Sequence, residues 1–222
     1  MSKPARRIAA SSAAIADRIA AHAAAHSTRQ RALTAALALF DLQGVEATTI
    51  DQVRDTAGIS IGSLYHHFRS REGLVIALYE DLLEQYRTAM TAELVRHSGI
   101  RALLDAFVKT HIDWAMQNPT AERFLSEHRH HRSLIDVEDQ LQDDTADFIR
   151  PLLRRIKPAI DAGVLKPLPP ELLLSLVLGP VQTWLRMHRS GRSKLAADVA
   201  ARKLSDLTWD AVAVPPVKRK LK

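Results

Sequence analysis

Residues 48–71, with the sequence TTIDQVRDTAGISIGSLYHHFRSR, contain the start and stop signals of two short helices. Thr49, followed three residues later by Gln52, has the spacing of a capping box and predicts a helix that begins at residue 50. Gly58 predicts the end of that helix, because glycine adopts the positive φ of the residue after a helix at no steric cost. Ser60 predicts the cap of a second helix. Two short helices joined by such a tight turn are typical of a helix-turn-helix.

The second of these helices has two chemically different sides. Its inner side is apolar, with Leu64 and Phe68 at helical spacing. Its outer side carries small, polar and aromatic residues and no acid: Ile61, Gly62, Ser63, Tyr65 and His66. A helix that faces only solvent normally carries charged residues on its outer side. The outer side is therefore predicted to enter a groove of DNA.

This segment resembles the DNA-binding region of the TetR family of bacterial transcriptional regulators. The matching residues follow the family pattern without a gap: Thr48, Thr49, Val53, Ala57, Gly58, Ile59, Ser60, Gly62, Ser63, Leu64, Tyr65, His67, Phe68, Ser70, Arg71, Glu72 and Leu74. The resemblance implies an all-α protein, with an N-terminal three-helix helix-turn-helix DNA-binding domain and a C-terminal helical ligand-binding and dimerisation domain. It also implies a repressor that binds a palindromic double-stranded DNA operator as a homodimer. An unidentified small-molecule effector, apolar or amphipathic, would release it.

The resemblance also implies roles for individual residues. Thr49, Tyr65, His67 and Arg71 match positions that contact phosphates, while Ile61, Gly62, Ser63 and His66 match positions that face the major groove. The predicted DNA-binding set consists of these residues together with Thr48 and Ser60. His67 has an alternative interpretation, as a histidine at a helix C-terminus that bonds to backbone carbonyls.

The predicted organisation has four parts: an N-terminal extension (1–27), the helix-turn-helix domain (28–75), the ligand-binding and dimerisation domain (76–213) and a basic tail (214–222). The net charge of +6 is concentrated at the two ends. The helix-turn-helix is not basic, so the prediction of DNA binding depends on the motif. The extension is either an arm without fixed structure or a basic arm that reaches DNA. The tail resembles a nuclear-import signal, but a solubilising tail is the preferred interpretation.

The C-terminal part is a series of amphipathic helices with aromatic, histidine and methionine residues on their predicted inner sides. Each of these residues is either plain core or a contact to the effector. The candidate ligand-binding residues are Phe107, His111, Trp114, Phe124, His128, Trp184, Met187 and His188. A helix from about residue 172 to 188 is apolar nearly all round, which predicts that a second copy of the chain covers part of it. The candidate dimerisation residues are Leu174, Val177, Leu178, Val181, Leu185, Leu204 and Leu207.

Other functional classes have little support in the sequence. The segment EHRHH at residues 127–131 could suggest a metal site, but the neighbouring arginines oppose a cation, so no metal and no cofactor are predicted. A helical enzyme that uses His111 or His128 as an acid–base group is a rival hypothesis without any catalytic motif, so no enzyme activity is predicted. An activator or a constitutive architectural DNA-binding protein is a third alternative. The chain has no cysteine and no long uncharged apolar run, so a cytoplasmic protein without a membrane partner is predicted.

Overall fold

The computed structural model of the chain describes residues 27–215, apart from the side chain of Asp136. Within this range the structure is all-α, as predicted, and its only β feature is an isolated bridge between Leu165 and Ala213. The described helices are α1 (Thr28–Gln43), α2 (Ile50–Ala57), α3 (Ile61–Phe68), α4 (Arg71–Leu94), α5 (Ile100–Gln117), α6 (Pro119–His128), a 3-10 helix (Arg132–Val137), α7 (Glu138–Asp161), α8 (Pro170–Arg189) and α9 (Ala197–Val212). The predicted N-terminal extension, except its last residue, and nearly all of the basic tail lie outside the described residues.

The described chain forms two compact units, each built from two segments. The first unit contains residues 27–84 and 119–138, and the second contains residues 85–118 and 139–215. The boundary therefore falls inside α4, beyond the predicted boundary at residue 75. Residues 119–138, which were predicted to lie in the C-terminal domain, cluster with the N-terminal helices. The division into functional domains stays a prediction.

The first unit has a small core built by α1 and closed by the helix-turn-helix. Leu33 and Leu39 of α1 are fully buried, as are Leu64 of α3 and Leu74 of α4. Because α1 contacts α2, α3 and α6, it is the central scaffold of this unit.

Helix α6 joins this core through aromatic stacking. The ring of Phe124 lies 5.9 Å from the ring of Phe40 on α1, with only 12° between the two planes. The apolar period of α6 predicts a buried side, but it does not specify the helix against which that side packs. This is why the sequence did not assign α6 to the first unit.

The second unit has a larger core formed by α5, α8 and α9. Helix α5 alone buries eight residues. It packs against both α8 and α9, and residues of all three helices belong to this core. Val177, Val181 and Leu185 of α8 belong to this core. The apolar side of α8 is therefore largely covered by helices of the same chain.

None of the helices between residues 27 and 215 is long and apolar enough to cross a lipid bilayer.

Candidate nucleic-acid interface and candidate ligand site

The turn between α2 and α3 has the geometry that its sequence predicts. The Thr49 side chain accepts a hydrogen bond from the Gln52 backbone N–H at 3.2 Å, and the Gln52 side chain accepts one from the Thr49 N–H at 2.8 Å. Gly58 ends α2 in the left-handed region, with φ of 61° and ψ of 44°. The Ser60 hydroxyl then accepts from the Ser63 N–H at 3.1 Å and caps α3. These local bonds fix where each helix of the motif begins and ends.

Arg31 of α1 holds this turn from behind. Its guanidinium donates to the Ala57 carbonyl at 2.6 and 3.1 Å, and to the Gly58 carbonyl at 2.7 Å. These oxygens lie at the C-terminal end of α2, where a cation is favoured by the helix dipole. No local sequence pattern predicts this role, because Arg31 and Ala57 are 26 residues apart in the chain.

The outer side of α3 is open, as the sequence predicts. Ile61, Gly62, Tyr65, His66 and His67 are all exposed, and Tyr65 exposes 49% of its surface. The helix carries no carboxylate, so no negative charge on α3 itself would repel a phosphate backbone. A β-carbon placed on Gly62 would meet nothing within 4 Å. The fold itself therefore does not require a glycine at this position.

Besides the capping residues Thr49 and Ser60, two residues of the predicted DNA-binding set have hydrogen-bond partners inside the protein. Thr48 is only 2% exposed, and its hydroxyl donates to the Gly44 carbonyl at 2.9 Å. The side chain is covered by its own loop, and a contact between Thr48 and DNA stays a prediction. The guanidinium of Arg71 donates to the carbonyl of Thr48 at 3.1 Å and also to that of Val45. Arg71 therefore positions the loop before α2, and its contact to phosphate stays a prediction.

Arg69 is a further candidate that the sequence motif does not mark. It follows α3 directly, is exposed, and has a positive φ of 62°, which is unusual for a residue other than glycine. No ion pair of Arg69 is found within residues 27–215. An exposed cation beside a recognition helix is suited to a phosphate contact.

Glu46, in the loop before α2, collects three cationic or potentially cationic side chains. Its carboxylate lies 3.5 Å from Arg71, 3.1 Å from Arg132 and 3.4 Å from Nε2 of His131. Because Nδ1 of His131 accepts the Ser133 N–H at 3.2 Å, the neutral ring carries its proton on Nε2 and can donate it to Glu46. These contacts tie the segment after α6 to the loop that leads into the helix-turn-helix.

Within the described residues, no three His, Asp or Glu side chains are arranged to hold a metal ion.

The eight predicted ligand-binding residues are divided between the two units. Phe124 and His128 belong to the first unit, where their rings stack at 4.6 Å and His128 Nδ1 lies 3.1 Å from the Phe124 carbonyl. The other six belong to the second unit. Met187 of α8 is 41% exposed, so it is a surface residue and not part of an enclosed pocket.

His111 is buried as predicted, but its hydrogen-bond partner comes from its own chain. The Tyr86 hydroxyl lies 2.8 Å from Nδ1 of His111, and the Tyr86 ring also packs edge-on against Trp114 at 5.2 Å. Burial lowers the pKa of His111 to about 4 and raises the pKa of Tyr86. At neutral pH the pair is therefore uncharged, and the 2.8 Å contact is a hydrogen bond between two neutral groups. His111 needs no ligand to satisfy Nδ1.

Trp184 and His188 stack on each other one turn apart on α8, with ring centroids separated by 4.8 Å. The indole N–H of Trp184 and Nδ1 of His188 are buried without a hydrogen-bond partner among the described residues.

The second unit contains a cavity of about 50 Å³ whose lining is apolar. Helices α5, α7, α8 and α9 contribute its walls, together with Leu165 from the connection between α7 and α8. Phe107 is the one predicted ligand-binding residue among the lining side chains described. The predicted dimerisation residues Leu174 and Val177 also line this cavity. Helical periodicity places such residues on an inner side, but it does not tell a packed core from a gap in that core.

The predicted dimerisation residues differ in how accessible they are. Val177, Val181 and Leu185 are buried in the core of their own chain, which leaves little of each side chain for a second copy to contact. Their assignment to a surface between copies stays a prediction. Leu207 on α9 is 66% exposed and can be reached by a second copy. The remaining predicted residues, Leu174, Leu178 and Leu204, are half-buried.

Comparisons with known proteins agree with the helix-turn-helix geometry. Residues 32–78 match a family model described as bacterial regulatory proteins of the tetR family, and residues 79–214 match one described as a tetracyclin repressor-like C-terminal domain. The HTH-type transcriptional repressor KstR2 of Rhodococcus jostii is 26% identical over 192 residues, which cover 84% of this chain and 92% of the relative. KstR2 of Mycobacterium tuberculosis is 34% identical over 121 residues, which cover 51% of this chain and 60% of the relative.

Solved structures show the same fold. A TetR family transcription regulator from Marinobacter aquaeolei superposes with a TM-score of 0.75 at 21% identity, covering 85% of this chain and 96% of that one. The TetR family transcriptional regulator PfmR from Thermus thermophilus superposes with a TM-score of 0.63 at 24% identity, covering 81% and 97% of the two chains.

Proposed function

The chain belongs to the TetR family of bacterial transcriptional regulators, and we propose that it is a repressor that binds a palindromic operator as a homodimer and leaves it when a small molecule binds the second unit. The relatives named above are transcriptional regulators, and two of them carry the name repressor. Such a role requires access to the chromosome, which implies a cytoplasmic protein.

The observation that carries the proposal is the outer side of α3. It is exposed and free of acid, and it lies on a helix whose two ends are fixed by Ser60 and by the Arg69 N–H bonded to the Tyr65 carbonyl at 2.9 Å. A helix held in this way can enter the major groove without rearranging. The open position at Gly62 allows the backbone to approach the bases closely.

We assign two kinds of contact on this surface. Ile61 and Ser63 face base edges, where the isoleucine meets thymine methyl groups and the serine hydroxyl donates or accepts. Thr49, Tyr65 and Arg69 contact phosphates and fix the register of the helix in the groove.

The side chains that remain exposed on α8 and α9 support the proposed dimer. Leu207 on α9, and Leu172 and Met187 on α8, expose between 41% and 66% of their surface. A second copy that covers these side chains would bring two α3 helices to half-sites about 34 Å apart, one turn of DNA. The operator is then an inverted repeat.

Gly62→Glu tests the proposal at its central residue. The new side chain has open space in the protein, so the fold should tolerate it, but its bulk and charge would meet the DNA. We expect at least a hundredfold loss of affinity for an operator found by selection from random DNA, measured by fluorescence anisotropy at fixed salt.

The matched control for this experiment is Gln117→Glu on α5, which adds the same charge at an exposed position of the second unit. It should change the affinity less than threefold. Equal affinities of the two variants, with unchanged thermal stability, would refute the assignment of α3 to the DNA surface.

A further inference from the structure

Resting on the proposed function, we infer that the effector is an uncharged, hydrocarbon-rich molecule whose aliphatic part enters the cavity beneath α7. The cavity lies wholly within the second unit and is bounded by Leu104 and Phe107 of α5, Leu152 and Ile156 of α7, and Trp209 of α9, among others.

The lining determines the chemistry of the occupant. No charged or polar side-chain atom faces the cavity, and Trp209 is the one described lining residue whose side chain contains a polar atom at all. An ion or a strongly polar group placed here would lose its water without gaining partners, at a large cost. Water itself gains little from such a space, since apolar cavities of this kind stay dry. A saturated hydrocarbon chain gives up no hydrogen bonds to water on entry and gains apolar contacts with the walls.

The wall formed by α7 is the one that can give way. Helix α7 has no buried residue along its whole length, whereas α5 has eight. It also contains Pro151 and Pro158, each of which lacks an N–H and so removes one hydrogen bond from the helix. At about 50 Å³ the cavity holds roughly three or four water-sized groups, so a longer chain either extends out of it or moves a wall. Displacing α7 breaks the fewest buried contacts.

The surroundings of Trp209 disfavour an anionic head group. The guanidinium of Arg101 lies 5.3 Å from the centroid of the Trp209 ring. It is already bound by two carboxylates, those of Asp105 at 2.9 Å and of Asp206. This cluster therefore has an excess negative charge beside a cavity-lining ring. A carboxylate on the ligand would be repelled there, while a hydroxyl or an ester would not.

Paired ligand series test this inference on the full chain without DNA. The probes are 1-alkanols of four to ten carbons and the alkanoates of the same lengths, titrated by isothermal calorimetry at pH 7.5. We expect alkanol affinity to rise about fourfold with each methylene until the chain outgrows the expanded cavity. Each alkanoate should bind at least tenfold more weakly than its alkanol. Equal affinities of the two series would overturn the inference.

Cavity-filling variants locate the site. Leu104→Phe and Leu152→Phe, each at a half-buried lining position, should lower alkanol affinity at least tenfold. Leu42→Phe makes the same change at an exposed position of α1 in the first unit. It is the matched control and should leave the alkanol affinity unchanged. If both lining variants bind alkanols as the control does, the cavity is not the site.

A final measurement links the cavity to regulation. Saturating alkanol should weaken operator binding at least tenfold in the native chain and in Leu42→Phe. Retained operator affinity at saturation would show that the cavity is not the effector site. If the native chain binds no DNA at all, the proposed function fails, while the calorimetric series still decides whether the cavity takes uncharged chains.

Discussion

Acidification should destabilise the second unit through the buried pair of Tyr86 and His111. Burial lowers the pKa of His111 from its ordinary 6.5 to about 4. The folded chain therefore keeps this imidazole neutral over most of the pH range between 6.5 and 4. The unfolded chain takes up a proton below pH 6.5. The contribution of this group to stability is therefore fully present above pH 6.5 and is lost as the pH falls from 6.5 to about 4. Below pH 4 the group causes no further loss of stability.

The size of the effect follows from the shift in pKa. A difference of about 2.5 pKa units corresponds to about 3 kcal/mol, at 1.36 kcal/mol for each unit. This is a large share of the 5–15 kcal/mol that is typical of a folded domain. Replacing His111 by Gln removes the titrating group and should remove this part of the pH dependence.

Tryptophan fluorescence during urea unfolding provides the assay. Trp114, Trp184 and Trp209 all lie in the second unit, so the signal reports on that unit alone. The unfolding free energy of the native chain minus that of His111→Gln should fall by about 3 kcal/mol from pH 7 to pH 4. His130→Gln, at an exposed histidine, is the control and should leave the pH profile of the native chain unchanged. Parallel profiles for the native chain and His111→Gln would refute the account of this pair.

Three further substitutions test contacts of the first unit, each by thermal or urea unfolding. Gly73→Ala should destabilise it by about 1–3 kcal/mol, because the new β-carbon would lie 2.1 Å from the Phe68 carbonyl oxygen, while Gly179→Ala, which meets open space, should not destabilise the chain. Arg31→Met should cost about 1–3 kcal/mol, because it removes the charged donor to the turn carbonyls, and an unchanged midpoint would contradict that role. Glu46→Gln should cost at most about 1 kcal/mol, since its ion pairs are largely exposed, and a loss that persists at 1 M salt would argue against an electrostatic cause.

The helix-turn-helix could be predicted almost residue by residue because its signals are local. The capping box at Thr49, the left-handed Gly58 and the cap at Ser60 each act within three or four residues of the chain. Arg31 and Gly73 escaped prediction for the opposite reason. Arg31 acts on a carbonyl 26 residues away, and the need for glycine at residue 73 arises from the close approach of α4 to the end of α3.

The candidate ligand site was predicted less well, because periodicity gives the direction of a side chain but not its neighbours. Phe107 and Phe124 both lie on buried sides of helices, as their spacing indicates. One lines the apolar cavity of the second unit, and the other stacks on Phe40 in the first. The same limit affected α8. Its apolar residues indicated two covering surfaces, and the sequence could not show that α5 and α9 of the same chain supply much of that cover.

Photo-cross-linking from Tyr65 tests most directly whether the outer side of α3 lies against DNA. Benzoylphenylalanine is placed at residue 65, or at the exposed residue Met116 of α5 as a reference, and each protein is irradiated with saturating operator DNA. If α3 lies in the major groove, residue 65 gives a covalent protein–DNA product and residue 116 gives none. An operator complex that forms normally but gives no product from residue 65 would contradict this position of α3.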